Sequence, residues 1–177
     1  MDKKTIYILV AVLIVIVVVA VGGVLWVYNG GSNAVNSKGG GNNQPVSVAN
    51  ATSLEFMANV TTQGSIVVTH ACYGKNIGTS NLTVRIDILG GESGNWSYIL
   101  DTGQEKSWNN TNSGAYASGN FTADWNFWGT SWTNFVTSLK SWSGTGDYSY
   151  TSSNGNPVTI YNIIVNPKLP DSLFQTS

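Results

Sequence analysis

The chain has 177 residues, of which only 10% are charged, and its formal net charge is −1. This length suits one ordinary domain with attachments. The low and balanced charge lacks the basic surface that nucleic-acid-binding proteins require, so we expect no nucleic-acid partner.

The N-terminal region is apolar. Residues 6–28 contain no charged side chain, and as a helix they would span about 34 Å, slightly more than the ~30 Å hydrocarbon core of a membrane. Lys3 and Lys4 precede this run, so residues 1–5 are expected to stay in the cytoplasm. The sequence therefore predicts a single-pass protein of the cell membrane, anchored by residues 6–28, with its C-terminal domain outside.

A cleaved signal peptide is the alternative interpretation of the same region. Val18 and Ala20 would suit the positions before a cleavage site. The apolar run continues well beyond Ala20, however, whereas the apolar part of a signal peptide usually has about 7–15 residues. A retained transmembrane helix is therefore the preferred prediction.

A linker and an outer domain are expected to follow. Residues 29–49 are rich in Gly and Asn and contain no aromatic residue, which predicts a flexible linker. Residues 50–177 are then an extracytoplasmic domain. Alternation of apolar and polar residues predicts its strands, which are 53–60, 65–73, 81–89, 95–101, 147–153 and 157–165. Short connections, such as Asn154-Gly155-Asn156, favour antiparallel pairing.

Between these strands, Phe121–Trp142 has a helical period. Large apolar residues recur at steps of three and four, which places them on one face of a helix. They are Phe121, Trp125, Trp128, Trp132, Phe135, Leu139 and Trp142. Gly129 weakens a helix, so a break is expected there, with Thr130 or Ser131 capping a second helix. The predicted fold class is α+β: an N-terminal transmembrane helix, a flexible linker, and a curved antiparallel β-sheet packed against one aromatic-rich helix.

The aromatic stripe allows three interpretations. It packs on the sheet as core, or it leaves an aromatic-lined gap that holds an apolar ligand, or its tryptophans are platforms for sugars. Sugar platforms are usually exposed on loops or sheet faces, so regular helical spacing fits the third interpretation least well.

Three segments resemble the lipoprotein-carrier half-barrel superfamily of the Lol/LppX kind. The stretch "LTVRIDILGGESGNWSYILDTGQEKSW" is similar to its paired strands followed by a short aromatic-ended segment, and the aromatic helix to its lid or plug. "VTIYNIIVNPKLPDSLFQ" resembles its closing strand and tail. Those carriers bind acyl chains in an apolar concavity under helices. The resemblance implies that the cavity would be lined by Trp125, Trp128, Trp132, Phe135, Leu139, Val84 and Ile86.

Few residues suggest chemistry. His70 is the only histidine and Cys72 the only cysteine, which is too few for a His/Cys metal site and excludes an intrachain disulfide. His70 and Cys72 are two residues apart on a predicted strand, so their Cα atoms are about 7 Å apart. This separation does not favour the hydrogen-bonded pair that a catalytic dyad needs. We therefore expect a packed structural pair, no catalytic residues, no cofactor, no metal and no enzymatic activity.

Six Asn-x-Ser/Thr motifs lie in the predicted outer domain. Their asparagines are Asn50, Asn59, Asn81, Asn95, Asn109 and Asn120. If exported proteins of the host are glycosylated, these residues would carry sugars. The motifs could equally follow from the Asn- and Thr-rich composition, and the sequence does not decide between the two.

Two functions are consistent with these features. The first is a membrane-anchored extracytoplasmic binding module, non-catalytic, for a lipid or other apolar ligand. The alternative is a cell-surface structural or interaction protein, pilin-like or part of the envelope, with an envelope protein as partner and no small ligand.

Overall fold

The computed structural model describes residues 46–62, 67–91, 94–112 and 114–176. Within these ranges no helix is both long and apolar enough to cross a membrane. The predicted fold class, which included a transmembrane helix, is therefore wrong on this point. Residues 1–5, 6–28 and 29–45, with the predicted anchor and most of the linker, lie outside the described residues. The fold that the structure does show is a curved antiparallel eight-stranded sheet with one helix.

All eight strands form a single sheet in the order β6-β5-β4-β3-β2-β1-β8-β7, with every neighbouring pair antiparallel. The strands are β1 (Ser53–Thr61), β2 (Val67–Lys75), β3 (Thr83–Gly91), β4 (Gly94–Asp101), β5 (Lys106–Thr111), β6 (Ala117–Ser118), β7 (Tyr148–Thr151) and β8 (Pro157–Val165). The six predicted strands and their antiparallel pairing are confirmed. Among the described residues, the first strand, β1, thus pairs with the last, β8, which brings the two ends of the described domain together.

The segment after β6 is one continuous helical stretch, which we call the aromatic helix. It consists of α1 (Phe121–Asp124), a π-helical turn (Trp125–Gly129) and α2 (Thr130–Leu139). The Asn120 side chain caps its start by accepting a hydrogen bond from the backbone N–H of Ala123.

The predicted break at Gly129 is wrong, because the backbone stays helical there and at Thr130. Gly129 has a packing role instead. A Cβ on this residue would lie 2.4 Å from the indole of Trp125, so only glycine lets that ring lie flat against the helix backbone. The helix continues through Gly129, and the π-helical turn Trp125–Gly129 contains one residue more than a turn of α-helix.

The core lies between the aromatic helix and the sheet face that it covers, which we call the inner face. Trp132 is 2% exposed and stacks on Phe56 with ring centroids 5.5 Å apart. Its indole also fills the space above Gly74, where a Cβ would approach to 2.4 Å. Val48, within the segment predicted as linker, is 5% exposed and joins this core, so the folded unit begins before Ser53.

On the opposite, outer face, residues 166–176 run across the strands as a C-terminal strap. Asp171 forms a 2.8 Å ion pair with Lys75 of β2. The backbone carbonyl of Leu173 accepts a 2.8 Å hydrogen bond from Arg85 of β3. These contacts hold the strap over the middle of the sheet and place Thr176 beside β4 and β5.

Candidate ligand-binding site

The inner face of the sheet has two halves that differ in exposure. Under the aromatic helix, eight residues are at most 1% exposed, namely Leu54, Phe56, Ala58, Cys72, Val84, Ile86, Leu100 and Ile160. Towards the β1–β2 and β3–β4 connections, six residues of the same strands are only partly buried, namely Val60, Val68, His70, Ile88, Trp96 and Tyr98. We call these six residues the open half. It is apolar and aromatic, yet water still reaches part of it.

A row of aromatic rings joins the open half to the helix. The ring centroids of Trp96 and Tyr98 are 6.5 Å apart, and those of Tyr98 and Trp128 are 4.8 Å apart. Phe127 continues the row at 4.7 Å from Trp128, edge to face. Phe127 is 54% exposed, and its place at the end of this aromatic row makes it part of an exposed apolar patch rather than an isolated surface residue.

The π-helical turn contains two adjacent aromatic residues of this row. The backbone N–H of Thr130 donates to the carbonyl of Trp125, five residues earlier, as well as to that of Phe127. Trp128, which lies on the predicted stripe, contacts His70 and Tyr98 of the sheet, and Phe127 lies beside it at the edge of the open half. Single π-helical turns inside α-helices frequently occur at functional sites.

His70 contributes the main polar ring of the open half. Its imidazole lies 6.0 Å from the rings of both Trp128 and Phe135. Burial lowers the pKa of His70 to about 4, so the ring is neutral at pH 7. Nδ1 is buried and has no hydrogen-bond partner within the described ranges. A neutral imidazole can offer one acceptor and one donor to a polar group that enters here.

The seven residues predicted to line a cavity all lie on the inner side of the domain, but in different surroundings. Five of them, Val84, Ile86, Trp132, Phe135 and Leu139, are at most 5% exposed and pack together in the core. Trp125 and Trp128 are partly exposed and pack against the edge of this core. Two of the seven meet the open half at His70, namely the buried Phe135 and the partly exposed Trp128.

Sequence reasoning missed Phe127, Trp96 and Tyr98 as candidate site residues. Trp96 and Tyr98 could have been predicted, because the alternation of side chains in β4 puts both on the same face as Leu100. Phe127 had no such signal, because it lies off the predicted helical stripe.

Cys72 is fully buried, as predicted, and carries a free thiol. Burial, with a smaller contribution from the charge of Asp87, raises the pKa of this thiol well above its usual value. A thiol in this state is a poor nucleophile. Among the described residues, no three His, Cys, Asp or Glu side chains are grouped so that they could hold a metal ion.

The six asparagines of the Asn-x-Ser/Thr motifs fall into two groups. Four are exposed, namely Asn50, Asn81, Asn95 and Asn120. Asn59 in β1 and Asn109 in β5 are partly buried. By exposure, the first group is therefore better placed to accept a sugar.

No family model matches the chain, and neither a curated protein nor a solved structure is significantly similar to it. The resemblance to lipoprotein carriers therefore stays a prediction from the sequence.

Proposed function

We propose that the domain is a non-catalytic binding module for a lipid or another apolar ligand, and that the open half with Phe127 and Trp128 is its binding site. The observation that carries this proposal is the row of aromatic rings that ends at the 54% exposed Phe127. Ligand pockets are typically lined by aromatic and apolar side chains with a few polar groups. The open half has this composition, with His70 as its main polar ring.

The energetics favour an apolar occupant. A phenylalanine that is 54% exposed leaves roughly 100 Å² of apolar surface in water, and covering it would contribute about 2.5 kcal/mol. The partly exposed rings of Trp96 and Tyr98 would add to this gain. A charged ligand group would gain little, because none of the six residues of the open half carries a charge at pH 7.

Titration of the full chain with a fluorescent fatty acid tests the proposal. The detergent that keeps the apolar residues 6–28 in solution also takes up the probe, so a titration of the detergent alone is subtracted. We expect the wild type to bind, and Phe127→Ser to weaken binding about tenfold or more, because roughly 1.4 kcal/mol corresponds to a factor of ten. Phe127→Ser should leave the free energy of unfolding nearly unchanged, since the side chain is largely exposed already.

Ile164→Ser is the matched control. Ile164 is 48% exposed and lies on β8, where it pairs with Glu55 rather than with the open half. This variant loses a similar amount of exposed apolar surface and should bind like the wild type. Equal losses in the two variants would mean that the fatty acid binds to apolar surface in general, and would refute the proposed site.

The second candidate is a surface interaction protein without a small ligand. Val67 and Leu89 are 54% and 37% exposed. Both lie on the outer face, at the same end of the sheet as the open half. Apolar residues on both faces of one end would suit a protein partner that covers this end. Failure of the wild type to bind fatty acid, with an intact fold, would favour this candidate.

A further inference from the structure

The outer face has an open cavity that differs in character from the apolar open half. It has a volume of about 410 Å³, within the range of small-molecule sites. Its polar walls are Arg85 of β3, Ser97 of β4 and Asn110 of β5, which neighbour one another across the sheet. Tyr116, on the loop before β6, and Thr176, on the C-terminal strap, close its sides.

Arg85 is held in place by its own contacts. Its Nε donates to Asp87 and its Nη1 to the carbonyl of Leu173, both at 2.8 Å. These two bonds use two of the five N–H donors of a guanidinium group. Burial lowers the pKa of Arg85, but the hydrogen bond and the charge of Asp87 outweigh it, with smaller contributions from Tyr116 and Tyr73, so the pKa is raised. A positioned, permanently charged donor group therefore lies at the cavity wall.

Tyr116 supplies a hydroxyl group that lacks a partner. Its oxygen is buried and makes no hydrogen bond to any residue of the described ranges. A buried hydroxyl without a partner is unfavourable by an amount comparable to a lost hydrogen bond. Tyr116 follows two exposed residues, Gly114 and Ala115, in a stretch without regular secondary structure. Tyr116 also lines the cavity, so an acceptor group bound there would satisfy this hydroxyl.

We propose that this cavity binds the carboxylate group of a small organic anion, with Arg85 and Tyr116 as its main donors. Arginine, tyrosine and serine all donate hydrogen bonds, and a carboxylate is an acceptor that fits a guanidinium group. Asp87 offsets the positive charge of Arg85, so binding would depend on hydrogen bonds from the guanidinium N–H groups that Asp87 and Leu173 do not use. A carboxylate brings less uncompensated negative charge to these donors than a phosphate does.

The direct test uses propionate and propionamide, which have the same shape but differ in charge. Saturation-transfer NMR on the full chain in detergent measures binding of each. We expect propionate to bind and propionamide to bind at least about tenfold more weakly, because hydrogen bonds to a charged group are roughly twice as strong as neutral ones. Equal binding of the two compounds, or no binding of propionate, overturns the proposal.

Two substitutions locate the site. Tyr116→Phe removes only the hydroxyl and should weaken propionate binding several-fold, on the order of one hydrogen bond, without lowering the melting temperature. Tyr73→Phe is the matched control, because Tyr73 pairs with Arg85 across the strands but does not line the cavity. A larger loss of binding in Tyr73→Phe than in Tyr116→Phe would place the anion elsewhere and overturn the proposal.

A second pair of probes distinguishes the source of the carboxylate. N-acetylalanine mimics the C-terminus of a peptide, and N-acetylalaninamide is its uncharged counterpart. Tighter binding of N-acetylalanine than of propionate would assign the site to peptide C-termini, whereas weaker binding would assign it to free organic acids. In either case propionate must still bind better than propionamide, or the proposal fails.

Discussion

Trp132 and Gly74 provide the sharpest test of how the aromatic helix packs. Trp132 is 2% exposed and stacks on Phe56, so Trp132→Ala should lower the free energy of unfolding by about 3–5 kcal/mol. A domain of this size has roughly 5–15 kcal/mol in total. Urea unfolding followed by far-ultraviolet circular dichroism measures the loss. Thr137→Ala, on the exposed side of the same helix, should change stability by less than about 0.5 kcal/mol.

Gly74→Ala tests the contact itself. Gly74 is not among the residues with positive φ, so its backbone accepts alanine, but the new Cβ would lie 2.4 Å from the Trp132 indole. Such overpacking should cost about 1–3 kcal/mol. In the Trp132→Ala background the indole is gone, and the same substitution should cost less than about 0.5 kcal/mol. The two effects are then non-additive by about 1–2 kcal/mol. An equal cost of Gly74→Ala in both backgrounds would refute the packing described here.

Two further predictions concern the buried polar groups of the inner face. The native Cys72 thiol should react slowly with maleimide and quickly only in denaturant. As a control, a surface cysteine introduced by Thr137→Cys in a Cys72→Ala chain should react quickly in the native state. Fast native labelling of Cys72 would contradict its burial. For His70, the pKa is about 4 in the fold and 6.5 without burial, so the unfolded chain binds the extra proton between these values. The free energy of unfolding should therefore fall by up to about 3 kcal/mol as the pH drops from 6.5 to 4. His70→Gln should remove this part of the pH dependence in urea unfolding. An unchanged pH dependence in this variant would show that another group causes it.

The sequence predicted those elements whose side chains alternate or repeat clearly between apolar and polar. The strand 81–89 has Leu82, Val84, Ile86 and Ile88 on one face, and β3 is found there. Strand β5 was missed because its sequence "KSWNNT" is mostly polar. Its inner-face residue Ser107 donates a 2.6 Å hydrogen bond to Asp124 of the helix, so this strand is fixed by a polar contact that no hydrophobic pattern reveals.

The candidate sites were harder to predict because they depend on contacts between distant segments. The spacing that identified Trp132 and Phe135 also makes them core residues, since a strict stripe is the part of a helix that packs most tightly. Phe127 lies off that stripe and becomes a site residue through its contact with Trp128. The outer cavity needs Arg85 and the loop of Tyr116 on either side of it, and neither position has a local pattern that points to the other.

A fatty acid with a photoreactive group near the end of its chain would test the central claim most directly. Irradiation of its complex with the full chain, followed by digestion and mass spectrometry, identifies the residues that touch the acyl chain. The proposed site predicts labelling of the π-helical turn Trp125–Gly129 and of β4, Gly94–Asp101, with both reduced by excess unlabelled fatty acid. Labelling confined to the outer face, or labelling that unlabelled fatty acid does not reduce, would contradict an apolar-ligand site on the open half.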